Sequence, residues 1–163
     1  MQKTLLVSGF ISLIGVGLIS GNEDEYCIPM EIEEYQVKTI NKEIHANRLI
    51  EALIQVESNG KEDCVGDKHL IIPSIGVLQI RPIMVREINR ILKIQGKDKR
   101  YKNKDRYSRV KSIEMFIIWR DYHHKDDSDE VISRCWNGGP KGYKRKKTLH
   151  YWNKVQKALK KIA

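Results

Sequence analysis

The sequence predicts a mainly α fold with at most a small β-hairpin, and three observations carry that prediction. Apolar residues recur at spacings of three and four, as in Ile50, Leu53, Ile54 and again in Val85, Ile88, Leu92. Glycine and proline fall between such stretches, at Gly60, Gly66, Pro73, Gly96 and Gly138-Gly139-Pro140. Strict two-residue alternation is confined to Leu70–Ile72, so a hairpin within 64–80 is the most strand structure the chain can support. A length of 163 residues suits one domain with a single core.

Taken in order, Met1-Gln2-Lys3 followed by the uncharged apolar run Thr4–Ser20 reads as an export signal or an uncleaved membrane anchor over 1–21. Residues 22–41, rich in Glu and Asp and holding Pro29, read as an acidic linker, leaving 42–163 as the folded domain. The first helix is expected over about Lys42–Ser58, stopped by Asn59-Gly60, with a loop to Pro73. Pro82 suits the first turn of a helix to Ile94, where a missing N–H costs nothing. Gln95–Arg106 is polar and basic and reads as a surface loop. Ser108 can cap a helix that buries Ile113, Phe116, Ile117 and Trp119. Asp127 with Glu130 offers a capping box for a helix through Trp136, and a last helix from near Thr148 should bury Tyr151, Trp152, Val155 and Leu159.

The net charge of +9 is localised. Lys141–Ala163 holds nine Lys and Arg and no acid, while the rest of the chain is balanced. Such a segment suits a polyanion: an anionic cell wall, an envelope surface or nucleic acid. Nucleic acid is disfavoured because Tyr151 and Trp152 sit at core spacing and the chain carries an export signal. Cys27, Cys64 and Cys135 allow one disulfide, Cys64 with Cys135 being the better pair, or stand as buried thiols. Adjacent His123 and His124 point in different directions on a helix and lack a third partner, so no metal site is expected.

Glu57 continues the apolar stripe of the first helix at i+7 from Ile50, which turns a carboxyl toward the core side and should raise its pKa. The order Glu57-Ser58, then Gly76-Val77-Leu78-Gln79-Ile80-Arg81-Pro82, then Trp136-Asn137-Gly138 resembles the soluble-type lytic transglycosylases of glycoside hydrolase family 23 and the related goose-type lysozymes. This likeness covers roughly residues 45–155 and implies a lysozyme-like helical domain with any hairpin beside a cleft. It implies Glu57 as general acid and then base, with Gly76, Gln79, Trp136 and Asn137 toward substrate and Ser58 fixing the turn beside the site. Trp136 stands where the family usually has Tyr, so the indole can stack on a sugar but cannot accept a hydrogen bond. Asp63 and Asp67 could face Glu57 as second carboxylates, though neither lies in a motif.

The resemblance thus implies a peptidoglycan lytic transglycosylase that gives 1,6-anhydro-muramyl products, exported to the periplasm, anchored or secreted, and bacterial or phage-encoded. The implied chemistry calls for no cofactor or metal. Two alternatives stand beside it. One is a lysozyme-type hydrolase of the same fold; the other is a non-enzymatic polyanion-binding or structural lysozyme-like protein.

Overall fold

The computed structural model describes residues 47–162. The segment 1–21, the acidic stretch 22–41 with Cys27, and the predicted start of the first helix lie outside the described residues. Within them the chain is mainly α. Helix α1 runs over 47–58, α2 over Pro82–Ile94, α3 over Arg109–His123, α4 over Asp129–Gly138 and α5 over Lys147–Ile162. Short 3-10 turns at Asn103–Tyr107 and Gly142–Lys144 precede α3 and α5. The segment 64–80 contributes only isolated antiparallel bridges, Val65 with Ile75 and Ile75 with Ile80. No helix among the described residues is long and apolar enough to cross a membrane.

The core is built from the inward stripes of these helices. Leu49, Leu53, Ile88, Ile91, Leu92, Met115, Phe116 and Val155 are essentially inaccessible to solvent. Helix α2 begins at Pro82 as expected and buries Val85, Ile88 and Leu92, while Asn89 takes a different part. Its amide donates to the Tyr101 carbonyl at 2.9 Å and its oxygen accepts from the Tyr101 N–H at 2.8 Å. That reciprocal pair fastens the segment after α2 to the helix.

Several expectations need correction. The stretch 95–106 is not wholly a surface loop, because Tyr101, Asp105 and Arg106 are buried. Arg106 turns inward and its guanidinium donates to the carbonyls of Asn103, Pro73 and Ile80, which satisfies a charge that composition alone places in water. Helix α4 is capped by Ser128, whose hydroxyl accepts from the Val131 N–H, and not by Asp127; Glu130 pairs with Arg134 instead of closing a capping box. In α3 the fully buried positions are Ser112, Met115, Phe116 and Trp119, with Ile113 and Ile117 only half-buried. In α5 they are Thr148, Tyr151, Val155 and Ala158, one step round the helix from the expected face, so Trp152 and Leu159 remain half-buried. Cys64 and Cys135 are free thiols, and Cys135 is buried.

Candidate functional site

A cleft of about 1140 Å³ opens where α1 ends, bounded by the 66–81 loop, the first turns of α2, the last turn of α3 and the end of α4. Glu57, Gln79, Trp136 and Asn137, widely separated in sequence, all line it. Gly76 does not. Its φ of +82° and the closeness of the Arg106 carbonyl show why glycine stands there: an added Cβ would lie 1.9 Å from that oxygen. The residue serves a tight crossing of two backbone segments and not the approach of a sugar.

Glu57 sits half-buried in the wall of the cleft. The Tyr151 hydroxyl, delivered from α5, donates to its Oε1 at 2.7 Å. Burial pushes the Glu57 carboxyl up to about 7; the Tyr151 bond opposes this, the nearby Asp67 charge adds to it, and Lys154 opposes it. Tyr151 is itself raised well above the usual phenol range, first by burial and then by the carboxyl it faces. The pair therefore rests as neutral phenol beside a carboxyl that changes charge near neutrality. Asp67 lines the same cleft, whereas Asp63 is exposed outside it.

Ser58 acts as expected of a turn-fixing residue. Its hydroxyl donates to the Val77 carbonyl at 2.9 Å and accepts from the Gly60 N–H at 3.2 Å, tying the end of α1 to the loop that forms the opposite wall. Ser58→Ala should destabilise the fold by about 1–2 kcal/mol, because the buried Val77 carbonyl loses this donor. A urea titration in which the variant matches wild type would remove Ser58 from this role.

Gln79 lines the cleft, yet its polar atoms are engaged within the protein. Both amide hydrogens find carbonyls, Gly76 at 2.8 Å and Cys64 at 3.1 Å, and its oxygen accepts from the Ser74 hydroxyl at 2.9 Å. These bonds hold Gln79 at a φ of +48°, a left-handed conformation that a non-glycine residue adopts only when its surroundings demand it. Trp136 packs edge-on against Phe116 and Trp119, each at 5.0 Å between ring centres. Asn137 is exposed in the last turn of α4.

Sequence reasoning missed two features of the cleft. Tyr151 was expected only as a core residue; its signal was that a buried phenol needs a hydrogen-bond partner. The second is the rim formed by His123, whose Nε2 lies 2.7 Å from Glu87, and His124, whose Nδ1 lies 2.7 Å from Asp127. Arg90 beside Glu87 and the His123 bond hold that carboxyl down at about 2. Arg145 and Lys147 also line the cleft, so part of the basic C-terminal segment contributes to its wall.

No family model matches the chain, and no curated protein matches it in sequence. Among solved structures, a chain in the crystal structure of Aeromonas hydrophila PliI in complex with Meretrix lusoria lysozyme is similar in fold. The TM-score is 0.55 at 22% identity, over 68% of this chain and 87% of that one. That assembly pairs a lysozyme with another protein that binds it. The expected lytic transglycosylase activity, and the expectation of an enzyme, are corrected accordingly. The three-part motif has no family match behind it, and the structural likeness, at 22% identity, carries the fold and neither a lyase nor a glycosidase activity. What the likeness supports directly is a fold found in a lysozyme-containing complex.

Proposed function

We propose that the protein is a non-enzymatic binding protein of the cell envelope, which holds a glycan strand of peptidoglycan in its cleft without cleaving it. The observation that carries this reading is the state of Gln79. The amide expected to grip substrate is bonded on both sides to Ser74, Gly76 and Cys64, so it shapes the cleft wall and has no hydrogen left to offer. Trp136 is likewise held by Phe116 and Trp119, presenting a fixed apolar surface on which a sugar ring can rest. Glu57 in its neutral form can donate to a sugar oxygen while its other oxygen keeps the Tyr151 bond.

The surroundings support the same reading. Arg145 and Lys147 on the cleft wall, continuous with the basic α5, suit the anionic polymers and peptide carboxylates of a wall. The charged start and apolar run of residues 1–21 support an exported location, where such a strand is found. Incubating the purified protein with peptidoglycan sacculi tests the proposal. Co-sedimentation with the sacculi, and no muropeptide detected by mass in the supernatant, is the expected result. Release of anhydro or reducing-end muropeptides would overturn it in favour of catalysis; a protein that stays in the supernatant would remove the glycan as occupant.

A further inference from the structure

The loop between α1 and α2, together with the first turn of α2, carries three large aliphatic side chains into solvent beside the cleft. Ile71 is 101% exposed, Ile72 53% and, on the first turn of α2, Ile83 62%. They are not scattered. Ile72 and Ile83 share one shallow depression of about 190 Å³ with Pro82 and the stems of Arg81 and Arg86. Arg81 and Ile83 also line the large cleft, so the two features are continuous. Among the described residues no carboxylate pairs with Lys68, Arg81 or Arg86, in contrast to Arg90, Arg109, Arg120 and Arg134, each of which has an acidic partner.

An aliphatic tip ringed by unpaired cations has a definite chemistry. Isoleucine has no ring to lie on a sugar and no polar atom to bond one, so the glycan strand proposed for the cleft does not account for it. Apolar surface left in water is unfavourable, and Ile71, fully exposed beside the shallow depression, is free to enter a soft interface. Basic side chains beside such a tip match anionic headgroups, while the aliphatic groups reach the acyl boundary below them. We propose that Ile71, Ile72 and Ile83, with Lys68, Arg81 and Arg86, form a docking tip for an anionic lipid surface, which sets the mouth of the cleft next to the membrane. The charge complementarity is the argument for lipid, and the uncharged run 4–20 independently leads the chain toward a membrane. This inference does not rest on the glycan reading.

The test places a reporter at the tip of the full chain. Ile71→Trp is added to vesicles of mixed phosphatidylcholine and phosphatidylglycerol and to vesicles of phosphatidylcholine alone, with the wild-type tryptophan emission subtracted. In the mixed vesicles the added emission should shift to the blue and be quenched by lipids brominated along the acyl chain. Adding Arg81→Gln and Arg86→Gln should lower the quenched fraction about tenfold, as should raising the salt. Emission that stays at its solvent position in mixed vesicles overturns the proposal, including when the protein is vesicle-bound through another part. A blue shift that grows with protein concentration in the absence of lipid also overturns it, since a second copy then covers the tip. Equal insertion into neutral vesicles removes the anionic partner and overturns it as stated.

Discussion

Gly76→Ala should destabilise the protein by about 4 kcal/mol, whereas Gly60→Ala, at nearly the same backbone angle, should cost only about 1 kcal/mol. Both glycines are left-handed, at φ +82° and +81°, so both substitutions bear the strain of placing a Cβ there. They differ in surroundings. Nothing lies within 4 Å of a Cβ at Gly60, but at Gly76 it would meet the Arg106 carbonyl oxygen at 1.9 Å. That oxygen cannot retreat easily. It accepts from the buried Ser112 hydroxyl at 3.0 Å, and the Arg106 guanidinium is bonded to Pro73 and Ile80 on the far side of the loop. Parallel urea titrations of the two variants measure the difference directly. Equal losses would mean that the crossing with Arg106 is soft and that backbone strain alone explains both.

Removing the titration of Glu57 should flatten the stability of the protein between about pH 4.5 and pH 7. The folded carboxyl holds its proton up to about 7, against an ordinary value of 4.5, because burial disfavours the charge. Within that window the native state therefore binds more protons than the unfolded chain. The contribution is fully present below about pH 4.5 and is lost as pH rises through about 7, a total near 3 kcal/mol. In Glu57→Gln the amide oxygen can still accept from Tyr151, but no charge has to be buried. The variant should thus gain on wild type as pH rises, by about 2–3 kcal/mol at alkaline pH. Subtracting the two stability curves cancels every other titrating group. A difference that does not change with pH would return Glu57 to the ordinary carboxylate range.

The sequence shows helices well where a local cause suffices. Pro82 marks the start of α2, Ser108 caps α3, and the stripe of Ile50, Leu53 and Ile54 turns Glu57 toward a cleft wall, all within one or two turns of chain. What stayed hidden depends on partners far away. Arg106 is buried because carbonyls 26 and 33 residues distant receive its guanidinium, and no window around Arg106 contains them. Gln79 looks like a ligand-binding amide until Ser74, Gly76 and Cys64 are folded around it. Ser128 outcompeted Asp127 as the α4 cap by one position, a margin below what pattern alone resolves. The cleft residues Glu57, Trp136 and Asn137 were found by their order in a motif, but order says nothing about whether side-chain groups are free to act. For that reason the activity implied by the motif did not follow from the site's legibility.

The bond between Tyr151 and Glu57 joins residues 94 positions apart and so imposes an order of events on synthesis. As the chain leaves the ribosome, α1 is complete long before α5 exists. Throughout that interval Glu57 lacks the Tyr151 hydroxyl, and the side of the cleft wall that α5 supplies is missing. The Tyr151 bond and the finished wall come into being together, when the C-terminal helix docks. A nascent chain halted before residue 151 would therefore hold Glu57 without its phenol partner and be unable to present the finished cleft.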